Sequence, residues 1–193
     1  MSIQRRKRIA LDCDGVLAEW TAYVIKRLGI ELSVDDVDDF SLRNVLRARF
    51  GKDVARKADA ICSDNDFTRT QPQLPWAKEL VQLSFALGDV MVLTSPWESK
   101  GWYDARVEWL RRELGIHQGQ LMAGRLKPWV AADFFVDDKP KNIIEWATDN
   151  PNGFAVLLAW PYNVSAEELL PANAKRMSPD ELIQMLRRGQ LTW

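Results

Sequence analysis

Apolar residues fall in short continuous runs along this chain, and each run is closed by polar or turn-forming residues. Ile9-Ala10-Leu11 ends at Asp12-Cys13-Asp14-Gly15, and Val90-Met91-Val92-Leu93 ends at Thr94-Ser95-Pro96. Phe134-Phe135-Val136 ends at Asp137-Asp138, and Phe154 to Leu158 closes before Pro161. Runs of this length with turn signals behind them read as buried strands. Gln120 to Ala123 gives a weaker strand, third in chain order. Between the runs the pattern becomes helical: Glu19 to Leu28 stops at Gly29, Trp76 to Leu87 at Gly88, and Trp102 to Leu114 at Gly115. Apolar strands alternating with helices predict an α/β fold, a doubly wound parallel sheet of five strands covered on both faces.

The stretch from about residue 18 to 74 is different. It is polar, holds no convincing strand, and carries a helix-start signal at Ser33-Val34-Asp35-Asp36. Helices are expected from Leu42 to Phe50, ending at Gly51, and from Val54 to Ile61. This predicts a small helical insertion after the first strand. The tail carries two capping-box patterns, Ser165 with Glu168 and Ser178 with Glu181, the second with Pro179 in the first turn.

Composition narrows the class. The 193 residues suit one core with a modest insertion. With 26 Lys+Arg against 27 Asp+Glu the net charge is near zero, so a long nucleic acid is not the expected partner, although a local basic patch is not excluded. Cys13 and Cys62 cannot make a disulfide framework, which points to the cytoplasm. The basic opening, Arg5 to Arg8, is followed by no apolar run of signal-peptide length, and no run is long enough to span a bilayer. Nine tryptophans exceed what such a core needs, so some are expected to line a pocket for a flat ligand.

The polar endings carry the chemistry. In an open parallel sheet, ligands bind at the carboxyl ends of the strands. Asp12 and Asp14 follow the first strand, Thr94 and Ser95 the second, Asp137 and Asp138 the fourth, and Lys127 lies in the loop after the third. A single aspartate there would be a helix cap. Four carboxylates from two strand ends repel one another unless a cation sits among them, and a hard divalent ion with oxygen ligands, most simply magnesium, resolves the repulsion.

These residues resemble the four ordered motifs of the haloacid dehalogenase superfamily: Asp12 to Val16, Leu93-Thr94-Ser95, Lys127, and Val136-Asp137-Asp138. The resemblance is closest to the 5'(3')-deoxyribonucleotidases. It is carried by Thr94-Ser95-Pro96, Arg106 three before Trp109, Lys127 ahead of Ala132-Asp133, the double aspartate, and Pro161-Tyr162-Asn163. Trp76 departs from the pattern, since many relatives have glycine there. The resemblance implies a core of residues 1–17 and 75–193 with a cap of residues 18–74. It also implies a magnesium-dependent phosphatase for 5'(3')-deoxynucleoside monophosphates that works through an aspartyl-phosphate. Alternatives are a sugar phosphate or polynucleotide end as substrate, a phosphotransferase, or an idle binding module; a homo-oligomer is compatible with each.

The roles follow from phosphoryl transfer. Asp12 is the expected nucleophile and Asp14 the general acid–base, while Cys13 alternates into the core. Asp12, the Asp14 carbonyl and Asp137 are the expected metal ligands. Asp138 either joins them or orients Lys127. Thr94, Ser95 and Lys127 should hold the phosphate. Arg106 either reaches the phosphate or lies exposed on its helix. His117 and Lys100 are expected outside the site, and Lys139 and Lys141 on a solvated rim. Trp20, Phe40, Phe67, Trp76 and Trp97 are candidates either to stack a base or simply to hold the helical insertion onto the core. Phe67 stands out because its neighbours are polar.

Overall fold

The structure is a computed structural model and describes residues 5–192. Six parallel strands form one sheet in the order β3-β2-β1-β4-β5-β6. They are β1 (Lys7–Asp12), β2 (Gly88–Thr94), β3 (Leu121–Ala123), β4 (Phe134–Asp137), β5 (Phe154–Leu158) and β6 (Ala174–Met177). The chain steps outward from β1 through β2 to β3, then crosses back to lay β4 on the other side of β1. Strand order therefore reverses at the β1–β4 seam, where an open α/β sheet has its binding crevice.

Alternation along the strands splits the core in two. Ile9, Leu11, Val90, Val92, Phe134, Val136 and Val156 face one way. They pack under helices α5 (Ala77–Leu87), α6 (Trp102–Leu114) and α8 (Pro179–Arg187). Ala10, Leu93, Phe135, Ala155 and Leu157 face the other way, against Ile143, Trp146 and Ala147 of α7 (Pro140–Asp149). Both faces are covered, which is why the strands read as unbroken apolar runs rather than alternating ones.

Between β1 and α5 lie four helices: α1 (Trp20–Leu28), α2 (Leu42–Phe50), α3 (Lys52–Cys62) and α4 (Asn65–Thr70). They bury a cluster of their own that includes Val24, Val45, Leu46, Ala58, Cys62 and Phe67. No helix among the described residues is long and apolar enough to cross a membrane.

Three expectations need correction. The sheet has six strands, not five. The sixth, Ala-Lys-Arg-Met, lies at the sheet edge and carries two cations, so it shows no apolar run. Ser165 does not start a helix. It lies inside a run of 3-10 turns, Pro161–Leu169, whose entry is fixed by the Asn163 side-chain oxygen accepting from the Trp160 amide at 3.0 Å. The second strand starts at Gly88 rather than Val90, directly after that glycine ends α5 as expected. The Ser178–Glu181 box is present, with the Ser178 amide donating to Glu181 at 2.8 Å.

Candidate active site

Asp12 is the last residue of β1 and Asp137 the last of β4. The register pairs Leu11 with Val136, so the next position on each strand is one of these carboxylates. Asp138 follows directly. Oxygens of Asp12, Asp137 and Asp138 lie within 4.8 Å of one another, and all three residues are buried.

Lys127 comes up from a 3-10 turn after β3, Lys127–Trp129, with Pro128 in its first turn. Its Nζ is 2.6 Å from Asp12 Oδ1 and 3.1 Å from Asp137 Oδ2. Asp137 also accepts from the Lys139 amide and from Asn142 Nδ2 at 2.8 and 2.9 Å. Asp138 accepts from the Tyr162 hydroxyl, and Asp12 accepts from the Cys13 amide at 2.6 Å.

One ammonium among three buried carboxylates leaves the cluster negative. Burial first, and then the charge of Asp137, push the Asp12 carboxyl well above its ordinary value. The same two causes raise Asp138 to about 7. Burial alone would lower Lys127, but Asp12 and Asp137 outweigh it and hold the ammonium charged. A divalent cation relieves this crowding, and an all-carboxylate donor set suits a hard ion. The residues present therefore fit a divalent metal site.

Asp14 points differently. Both of its carboxylate oxygens accept from Arg106, at 2.8 and 3.0 Å, and Oδ1 also accepts from Gln71 Nε2 at 3.0 Å. Arg106 is buried, with Trp102 and Trp109 within 5.6 Å of its guanidinium carbon. Its other terminal nitrogen donates to Cys13 Sγ at 3.0 Å. Cys13 is buried, and that burial pushes its thiol up and out of the nucleophilic range.

Gly15 sets the turn. Its φ is +82°, and a Cβ there would collide with the Asp138 carboxylate. Trp76 and Trp160 brace the same turn from below, donating through Nε1 to the carbonyls of Val16 and Gly15 at 3.0 and 2.8 Å.

A cavity of about 520 Å³ opens over the cluster. Asp12, Asp14, Ser95, Lys127 and Asp138 line its floor. Thr94 and Asp137 lie buried beneath it, and the Thr94 hydroxyl has no hydrogen-bond partner among the described residues. The walls carry Trp20 and Trp97, with ring centroids 6.3 Å apart and planes 14° from parallel, and Phe40 set edge-on to Tyr162.

Three sequence expectations fail to reach the cavity. Phe67 is buried among the helices α1 to α4 and stacks on Tyr23. Arg106 contacts Asp14 rather than open space, so it is neither exposed nor part of the lining. Trp76 also lies off the cavity. His117 and Lys100 are exposed, and Lys139 lines the rim with its Nζ 5.1 Å from the Phe40 ring centre. Asn142 and Tyr162 were not assigned roles from the sequence, yet both contact the acidic cluster. Asn142 sits on α7, for which the strand pattern gives no signal. Tyr162 lies 24 residues past the carboxylate it touches.

A parallel sheet with an acidic crevice at its reversal point, a buried lysine and a helical segment after β1 is the fold of haloacid dehalogenase-like proteins. Solved structures with this fold include a haloacid dehalogenase-like hydrolase of Burkholderia xenovorans, at TM-score 0.56 and 13% identity over 96% of this chain and 99% of that one. A predicted phosphatase of Clostridium acetobutylicum aligns at TM-score 0.56 and 12% identity over 96% and 100%. Over residues 6–188 the chain matches the family of 5' nucleotidase, deoxy (Pyrimidine), cytosolic type C proteins, and it belongs to that family. A provisionally named 5'(3')-deoxyribonucleotidase of Staphylococcus epidermidis is 25% identical over 144 residues, which are 72% of this chain and 77% of that protein. The chain is a phosphoric monoester hydrolase of the nucleotidase type.

Proposed function

We propose that this enzyme hydrolyses 5'(3')-deoxynucleoside monophosphates in the cytoplasm, using magnesium and an aspartyl-phosphate intermediate. The observation that carries the proposal is the position of Asp12: a carboxylate at the floor of a cavity with aromatic walls, in contact with a buried lysine, within a nucleotidase family.

Asp12 attacks phosphorus while the ester oxygen leaves with its electron pair, and Asp14 gives that oxygen a proton. Asp14 then takes a proton from water as the water's oxygen attacks the aspartyl-phosphate, which frees orthophosphate and restores Asp12. Lys127 balances charge on Asp12 and on the phosphate. Ser95 and the Thr94 hydroxyl, which has no hydrogen-bond partner among the described residues, donate to phosphate oxygens. Asp12, Asp137 and Asp138 would hold the metal with the Asp14 carbonyl; when bound, the ion lets an anionic nucleophile approach an anionic ester.

Arg106 and Gln71 hold Asp14 in place between the two steps. Helices α1 to α4, roughly residues 18–74, act as a cap on a core of residues 1–17 and 75–193 and shield the reaction from bulk water. The deoxyribose preference rests on the aromatic wall. A ribose 2'-hydroxyl pressed on it loses water without gaining a partner, at roughly 1–3 kcal/mol.

The deciding experiment is phosphate release from a panel of deoxynucleotides, ribonucleotides and hexose phosphates with magnesium. The expected result is the highest kcat/KM for a deoxynucleoside monophosphate. A hexose phosphate or ribonucleotide preferred over every deoxynucleotide would overturn the substrate class while leaving the hydrolase intact.

A further inference from the structure

The chain is close to neutral as a whole, yet residues 43–57 carry six basic residues against one acidic, Asp53. The structure gathers four of the six. Arg43 and Arg47 lie one turn apart on α2, and Lys52 and Arg56 one turn apart on α3. Together with Asn44 and Ala55 they line a cavity of about 200 Å³ separate from the catalytic one. No carboxylate lines it. Arg43 pairs with Asp59 at 3.1 Å and Arg56 with Asp53 at 3.4 Å, while Arg47 and Lys52 have no ion-pair partner among the described residues. The amide end of α3 adds to the positive field: its cap is Gly51, which offers no side-chain acceptor.

Gathering like charges costs free energy unless something balances them, and the folded chain supplies acids for only two of the four cations. We propose that this cavity is a binding site for an oligophosphate, and that Arg43 links it to the catalytic cavity. One phosphate would leave much of the charge unmatched, whereas a chain of two or three brings comparable charge and many acceptor oxygens. The cavity is smaller than the roughly 300–1,000 Å³ of sites that enclose a whole drug-sized ligand. Its lining has no aromatic ring to stack a base. It therefore takes the phosphate chain, whether that chain is inorganic or belongs to a nucleoside triphosphate.

The link is geometric. Arg43 lines both cavities, and Asp59, its partner, lines the catalytic one. An anion that draws Arg43 away leaves Asp59 as an unbalanced negative charge on the wall of the catalytic cavity. That charge disfavours an incoming phosphate ester, so occupancy of the second site raises KM.

The test is equilibrium binding of inorganic triphosphate to the full chain in excess magnesium, comparing wild type with the Arg47→Glu/Lys52→Glu variant. Neither residue belongs to the catalytic machinery, so turnover of a small phosphate monoester stays unchanged in the variant. Expected is saturable binding to wild type, at least tenfold weaker binding to the variant, and a KM at least doubled by triphosphate in wild type alone. A nucleoside triphosphate run beside inorganic triphosphate separates the two sources: equal affinity assigns recognition to the chain, tighter binding adds a nucleoside contact. Should the glutamate pair fail to fold, Arg47→Ala/Lys52→Ala serves with the same expected direction. Equal binding by wild type and variant, or orthophosphate binding as tightly as triphosphate, overturns the site. An unmoved KM with binding intact overturns the link through Arg43.

Discussion

Arg106 donates from a single guanidinium nitrogen to both carboxylate oxygens of Asp14, at 2.8 and 3.0 Å, from a buried position between two tryptophans. The arginine makes no contribution to the cavity lining, so any effect it has on turnover passes through the groups it contacts, Asp14 and, beside Asp12, Cys13. Lysine keeps the charge but offers a point donor in place of the planar fork. Arg106→Lys should lower kcat by about tenfold to a hundredfold with little change in KM, because Asp14 loses its fixed direction. Steady-state kinetics beside a thermal melt decides it. A kcat within twofold of wild type would make Arg106 a packing residue only.

Asp12→Asn should abolish turnover and leave the melting profile near that of wild type. The amide matches the carboxylate in shape, and removing one charge from a crowded cluster relieves repulsion. Asp14→Asn should cost at least roughly tenfold in kcat, since proton transfer is lost while the backbone is unmoved. Phosphate release from purified variants measures both. Near wild-type turnover in Asp12→Asn would remove it from the nucleophile's role.

Chelation should stop activity, and magnesium should restore it. Without a cation, the buried carboxylates of Asp12, Asp137 and Asp138 repel both one another and the substrate, and Lys127 alone does not balance them. Calcium should restore much less, because its larger, looser coordination spoils the line of attack. The assay is activity after EDTA treatment and dialysis, with each ion added back. Full activity in the metal-free enzyme contradicts the claim.

The floor of the site was legible in the sequence because buried parallel strands leave a plain mark. Each apolar run ends where the polar residues begin, so Asp12, Ser95 and Asp137 could be placed at one edge before any coordinates. Lys127 was legible by its order relative to the weak third strand. The walls were not. Which helix residues face the cavity depends on how α1 to α4 pack on one another, and that information is not periodic in the chain. Arg106 could be singled out but not aimed, since nothing in its helix says that Asp14 is the group in front of it. Strand β6 stayed hidden because an edge strand with Lys175 and Arg176 lacks an apolar signature.

Phe67 and Trp97 separate these two kinds of legibility. Phe67 stands among Asn65, Asp66, Thr68 and Arg69, and polar neighbours suggested a ring kept for ligand. On the six-residue helix α4, however, Phe67 and Thr68 are the buried residues, and the ring stacks on Tyr23 at 5.0 Å. Phe67→Ala should therefore act as a core truncation, destabilising by about 3–5 kcal/mol, with its kinetic effect following the loss of folded enzyme. Trp97 lines the cavity beside Trp20 and is only partly buried at the edge of the helical cluster, so its removal takes away stacking surface at a smaller loss of packing than at Phe67. Trp97→Ala should raise KM for a deoxynucleotide several-fold and leave KM for a small phosphate ester nearly unchanged. Thermal melts and paired kinetics on the two substrates distinguish the variants. A KM effect confined to nucleotides in Phe67→Ala, or an equal loss for both substrates in Trp97→Ala, would show that the two rings have been assigned the wrong way round.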